Sequence, residues 1–296
     1  MLCPRRCGVD RFVRTGVCGA NDTLRVGRAA LHWWEEPCLV GDRGSGAVFF
    51  AHCALGCVYC QNKRLAEGEG VEITQERLRE ILLELQNEQR AANINLVTAS
   101  HYAPSVAEVL RELRASGALH IPVVWNTSGY ESAQTLALLE GLVDIYLVDF
   151  KYSNPTTAQR LSRASDYVGV ALAAIEQMIE QTGAPRSSKE GYLERGVIVR
   201  HLVLPGYVDD SLAALDLLYP RIRGRALLSI MNQFTIVDEA LDVRAYGLER
   251  AVSDEAYERV LDHADELGFE DYFWQEGGAA SESFVPAFDG TGVVVP

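Results

Sequence analysis

At 296 residues with 48% hydrophobic content, the chain can bury a sizeable core, and it suits one large α/β domain, alone or with a small appendage. No apolar run reaches the about 18 residues of a membrane-spanning helix, and the start, Met1-Leu2-Cys3-Pro4-Arg5-Arg6-Cys7, lacks the apolar stretch of a signal peptide, so the expected compartment is the cytoplasm. A formal net charge of −14 argues against a nucleic-acid partner, which selects basic faces; its plain consequence is solubility.

Residues 1–43 read as an irregular segment rich in Cys, Gly, Arg and Trp, without helical or alternating period. Seven cysteines, Cys3, Cys7, Cys18, Cys38, Cys53, Cys57 and Cys60, fall in the first fifth of the chain. In a cytoplasmic protein such clustering points to metal rather than disulfides. The texture changes at Gly44, and Gly46–Ala51 is an apolar run of strand length leading into the last three cysteines. Helices and strands then alternate: helix 73–91 with Thr74 as cap, strand 93–98, helix 104–116 with Pro104 near its start, strand 121–126, helix 132–142, strand 143–148 and helix 156–182. Strand 196–203, helix 211–221, strand 226–231 and, after a wandering segment, helix 254–267 complete the series. Six βα units over residues 44–276 predict a parallel sheet with right-handed crossovers, either open and barrel-like or doubly wound. Residues 277–296 read as a small, polar tail ending in Val293-Val294-Val295.

Ligands of such sheets bind at the carboxyl ends of the strands. The sequence places there Cys53, Cys57 and Cys60; Thr98, Ser100 and His101; Asn126, Thr127, Ser128 and Gly129; Asp149 and Lys151; Arg200 and His201; and Asn232 and Gln233. Polar residues at the ends of apolar strands point to one site, although loops are polar in any case and 126–129 suits a helix cap and turn equally well. Asp149 and Lys151 suit either a ligand contact or a simple ion pair. His201 faces away from Arg200 in a regular strand, a structural position; His32 and His120 carry no assignment.

The spacing Cys53-x3-Cys57-x2-Cys60 is the strongest signal. Three thiolates on one short loop wrap a [4Fe–4S] cube and leave its fourth iron open to a substrate or cofactor. Gly56 allows a left-handed turn between the ligands. A zinc knuckle usually has four ligands and fits less well, as do plain thiols.

This loop, with Tyr59 just before its last cysteine, resembles the signature of the radical S-adenosylmethionine superfamily. Phe49-Phe50-Ala51-His52, the loop and Gln61-Asn62 together resemble the pyruvate formate-lyase activating enzymes. Cys3-Pro4-Arg5-Arg6-Cys7-Gly8-Val9-Asp10-Arg11, His32-Trp33-Trp34-Glu35-Glu36-Pro37-Cys38, residues 93–98 and 126–130, Asp149-Phe150-Lys151-Tyr152, residues 200–206 and Met231-Asn232-Gln233 resemble a branch labelled PflX. The resemblance runs over almost the whole chain.

It implies a partial (β/α)6 barrel of the radical SAM type. It further implies a cluster that chelates the amino and carboxylate groups of S-adenosylmethionine and cleaves it reductively to a 5′-deoxyadenosyl radical. Cys53, Cys57 and Cys60 would hold the cluster, and Tyr59 would lie near the adenine. Asn126 and Ser128 would make polar contacts to the cofactor, Arg200 would take its carboxylate, and Asp149 and Lys151 would stand near the cofactor or the substrate radical. Thr98 to His101 occupy the place of a Gly-Gly-Glu run that holds the amino group in many relatives, and depart from it. Protein substrate and a small electron donor such as a flavodoxin or ferredoxin are the implied partners.

Cys3, Cys7, Cys18 and Cys38 supply the four thiolates of a closed metal site, a second iron–sulfur cluster or zinc, or else are free structural thiols. The leading expectation is an oxidoreductase that generates a radical, activating-enzyme-like, on a protein or peptide. The alternatives are modification of a small molecule, or an iron–sulfur protein for electron transfer or structure that leaves S-adenosylmethionine intact.

Overall fold

The computed structural model describes residues 2–235, 243–275 and 285–294. In chain order its elements are β1 (Leu24–His32), α1 (Pro37–Val40), β2 (Ser45–Phe50), α2 (Lys63–Ala66), β3 (Val71–Ile73), α3 (Gln75–Asn87), β4 (Ile94–Val97), α4 (Ala103–Ala115), β5 (Val123–Thr127), α5 (Ala133–Leu139) and β6 (Ile145–Asp149). They continue with α6 (Pro155–Ser162), α7 (Tyr167–Thr182), β7 (Arg186–Ser187), β8 (Leu193–Leu202), α8 (Val208–Ile222), β9 (Leu227–Met231), α9 (Val243–Tyr246), α10 (Asp254–Leu267) and β10 (Phe273–Trp274).

The strands form one sheet in the order β10-β9-β8-β6-β5-β4-β2-β1-β3, with β7 on the flank of β8. The six strands from β2 to β9 on this path are mutually parallel, as the alternating pattern predicts. β3 and β10 end the order without pairing to each other, so the sheet is an open, partial barrel. Helices cover its outside over a core that holds Trp125, Tyr146 and Phe50, fully buried.

Two expectations give way. Residues 1–43 are not irregular throughout, because Leu24–His32 is a nine-residue strand antiparallel to both β2 and β3. A register shift between Val26 and Arg28 breaks its alternation, which hides the period of two on which a strand is recognised. The helix expected over 156–182 is two helices, because Arg163 turns left-handed (φ 52°) and ends α6. Neither Gly nor Pro marks that break. Thr74 does cap α3, its hydroxyl accepting from Arg77 N at 3.1 Å. The tail falls partly outside the described residues; in the described part, Phe288 packs on Phe49.

The barrel interior is filled by the chain's own residues. Residues 33–40 cross it, and α1 buries Leu39 against Val124, Ile145, Leu147, Leu193 and Ile198. Asn93, at the amino end of β4, fixes this plug. Its amide donates to Leu39 O at 2.8 Å while its oxygen accepts from Ser45 Oγ at 2.6 Å. Leu39→Ala should therefore cost about 2–5 kcal/mol, the usual effect of emptying a buried leucine site, read as a lower midpoint in urea denaturation. An unchanged midpoint would mean that the plug does not hold the barrel.

Candidate active site

The cysteine loop leaves β2 at its carboxyl end. His52, the residue before it, adopts a left-handed backbone (φ 75°). Its N–H donates to Leu65 O at 2.8 Å, and its ring lies against Gly19, where a Cβ would stand 2.8 Å from Nδ1. Within the loop Gly56 takes φ 62°, the left-handed turn expected of it. Leu55 N donates to Cys53 Sγ at 3.4 Å and Cys60 N to Cys57 O at 3.1 Å. The loop is tied to the end of α6 by Val58 N donating to Leu161 O at 2.9 Å.

Burial pushes the Cys57 thiol up, with Lys151 opposing, and pushes the Cys60 thiol to about 12. Thiols held protonated by desolvation become ligands when a metal replaces the proton.

Opposite the loop lies a buried charge network. Register sets Asp149 of β6 beside Arg200 of β8. Arg200 donates from Nε to Asp149 Oδ1 at 2.9 Å, from Nη1 to Glu35 Oε2 at 2.9 Å and from Nη2 to Asn126 Oδ1 at 2.8 Å. Lys151 Nζ meets Asp149 Oδ2 at 2.6 Å. Glu35 Oε1 also accepts from Asn95 at 2.9 Å and Asn126 at 3.1 Å. Burial alone would push the Asp149 carboxyl up, but Lys151 and Arg200 outweigh it and hold it below the carboxylate range. The neighbouring Glu36 is buried, and desolvation pushes its carboxyl up despite Arg200.

Between loop and network is a cavity of about 210 Å³. Cys57, Tyr59 and Cys60 line one side, Asn126, Asp149, Lys151 and Arg200 another, and Phe49, Val97, Leu202 and Met231 give it apolar walls. The structure thus gathers most of the residues that the sequence singled out. Cys53, Thr98 and Ser128 do not line the cavity; Cys53 lies on the other side of the loop beside Ala54 and Leu55, and the Ser128 carbonyl accepts from Tyr167 Oη at 2.9 Å. Ser100 and Thr127 are spent on the buried Glu131. His201 is structural as expected, its Nδ1 2.7 Å from Phe150 O. Sequence reasoning missed His32, at the end of β1, and Trp34 and Glu35 of the crossing segment, which reach the cavity. Burial, with Arg28 and Arg200, lowers the His32 imidazole to about 4, so it is neutral.

Of the N-terminal cysteines, Cys3, Cys7 and Cys18 influence one another electrostatically, and a Cβ on Gly16 would stand 3.3 Å from Cys18 Sγ and 3.5 Å from Cys7 Sγ. Backbone N–H groups of Val17 and Val9 lower the Cys7 thiol. Cys38 is not with them. It packs in the barrel interior, where burial raises its thiol to about 12.

Residues 48–218 match the Radical SAM superfamily. The chain is 25% identical over 280 residues to an uncharacterized protein of Methanocaldococcus jannaschii, covering 91% of this chain and 75% of that protein. Among solved structures it is similar to a radical SAM methyltransferase from Sphaerobacter thermophilus, with TM-score 0.56 and 15% identity over 80% of this chain and 68% of that one. It is also similar to Streptococcus suis SuiB bound to the precursor peptide SuiA, with TM-score 0.52 and 12% identity over 76% and 46%. At these identities the structural likeness is one of fold.

The network yields a stability expectation. Glu35→Ala leaves a buried guanidinium short of a countercharge, at a cost of about 3–5 kcal/mol. Glu35→Gln, which keeps an oxygen for Arg200, should cost less. Equal denaturation midpoints for parent and Glu35→Ala would show that the pair carries no weight.

Proposed function

We propose that this chain, which belongs to the radical SAM superfamily, holds a [4Fe–4S] cluster on Cys53, Cys57 and Cys60 and cleaves S-adenosylmethionine reductively to generate a 5′-deoxyadenosyl radical. The observation that carries this reading is the cavity: two loop cysteines face Asn126, Asp149, Lys151 and Arg200 across it. A loop built only to pass electrons has no need of a lined cavity beside its sulfurs.

The bound cluster supplies the one electron that breaks the carbon–sulfur bond; the rest falls to the chain's own side chains. Three of the five guanidinium N–H groups of Arg200 are committed to Asp149, Glu35 and Asn126, leaving two for the carboxylate of the cofactor. Lys151, fixed by Asp149, stands between the network and Cys57 and keeps positive charge near the thiolates. The Tyr59 ring lines the same cavity, beside the place proposed for the adenine. The apolar walls exclude water from a radical.

For the substrate we favour a protein or peptide, in the manner of an activating enzyme of the PflX-type branch. Trp34, half-exposed where the crossing segment meets the cavity, offers an aromatic contact to a chain, and SuiB, of the same fold, was solved with its precursor peptide. A flavodoxin or ferredoxin suits as electron donor, since residues 2–28 carry six arginines against two aspartates in an otherwise acidic protein. We place the reaction in the cytoplasm; among the described residues no helix is long and apolar enough to cross a membrane. We also propose that Cys3, Cys7 and Cys18, without Cys38, bind a second metal centre, iron–sulfur or zinc.

Two measurements bear on this. Anaerobically reconstituted, reduced protein should release 5′-deoxyadenosine from S-adenosylmethionine, and Cys57→Ala should abolish the release; equal turnover by the two proteins would end the assignment. Metal analysis of the reconstituted chain should find more than about four irons, or zinc near one per chain. Four irons and no zinc in a fully loaded sample would remove the second centre.

A further inference from the structure

Ser162 ends α6 and is fully buried, and its hydroxyl donates to Cys57 Sγ at 2.9 Å. Behind it stands a second hydroxyl: Tyr152 Oη lies 2.6 Å from Ser162 Oγ and 2.8 Å from Tyr59 Oη. Both rings are buried and meet edge to face. Three hydroxyls in a row, away from water, end on one sulfur of the cysteine loop.

A metal-bound thiolate only accepts hydrogen bonds. With Cys57 in that form Ser162 donates to it, while Tyr152 donates to Tyr59 and packs its hydroxyl against that of Ser162. Tyr152, 2.6 Å from the serine hydroxyl and held by Tyr59, fixes that hydroxyl in place beside the sulfur.

The spacing of this contact is set from outside it. Arg5 donates from Nε to Ala54 O at 2.8 Å and from Nη2 to Leu55 O at 3.2 Å and Ser162 O at 2.8 Å, and also reaches Arg163 O. With Val58 N on Leu161 O, these bonds clamp loop to helix by their backbone atoms, without the Ser162 side chain. Removing the Ser162 hydroxyl leaves the clamp in place.

We propose that Ser162, backed by Tyr152 and Tyr59, sets the reduction potential of the cluster. The proposal rests on the reading that Cys57 is a cluster ligand. Reduction adds one electron, whose charge spreads onto the ligand sulfurs, and a hydrogen bond to such a sulfur stabilises the reduced form more than the oxidised one. The row therefore raises the potential and makes the cluster easier to reduce. Ser162 is a positioning residue: it touches a ligand sulfur, not the substrate.

The test is a redox titration of the reconstituted full chain without S-adenosylmethionine, the reduced cluster being followed by electron paramagnetic resonance. Iron content is measured first, and a parent that loads no cluster overturns the ligand reading itself before any variant is compared. Given a loaded parent, Ser162→Ala should titrate at a more negative potential, with the equilibrium constant for reduction lower by on the order of tenfold, about 59 mV for one electron. Tyr152→Phe keeps the Ser162 hydroxyl and should shift the same way by less, and Ser162→Thr should return the potential to that of the parent. If Ser162→Ala fails to load, Tyr152→Phe decides. Loaded variants that titrate with the parent, whatever their melting temperatures, would reduce the row to a structural contact and overturn the proposal.

Discussion

Everything at the open end of the barrel is arranged around one buried guanidinium. Arg200 stands on an interior strand, where taking a charge from water costs several kcal/mol unless countercharge and hydrogen bonds are close at hand. Asp149 answers from the neighbouring strand, Glu35 from the crossing segment, and Asn126 fills the third direction. Lys151 brings a second cation, and Asp149 is shared between the two. Two cations and two carboxylates leave the network near neutrality, so a ligand that carries its own charges can enter without leaving one uncompensated.

The cysteine loop is stiffened from elsewhere. Arg5 holds its carbonyls, Arg11 holds the carbonyl of His101 and lies over the ring of Tyr102, and His52 keeps its left-handed backbone between Gly19 and Gly68. A backbone in that region is strained for a residue with a Cβ, and it persists because the packing on both sides leaves it no alternative. The barrel thus presents the polar groups that face a ligand, while the N-terminal segment fixes the loop opposite them. The family match begins at residue 48, after both the crossing segment and the N-terminal cysteines.

What could be read from the sequence follows from how local each signal is. The six parallel strands announce themselves as apolar runs between helices, and the cysteine loop is three ligands within eight residues. Asp149 and Arg200 were legible because each is a polar residue at or near the carboxyl end of an apolar strand, and their pairing needed only the register. Glu35 was not legible. It sits in a segment without period, next to a second glutamate, and its partners lie on three different strands. Cys38 shows the same limit in reverse: proximity in sequence grouped it with the other N-terminal thiols, while an apolar neighbourhood that appears only in the fold claims it. Ser162 was hidden for a third reason, since nothing local marks the end of α6 in what reads as one continuous helix.

The plug imposes an order on folding. Residues 33–40 are made before every strand they touch inside the barrel, and the bond between Glu35 and Arg200 spans 165 residues. The interior cannot be completed until β8 has emerged, so the earliest part of the chain waits for one of the last. An open-sided sheet lets the segment settle in sideways, whereas a closed barrel would require it to be threaded. The gap between β3 and β10 is in this sense the doorway through which the protein completes its own core.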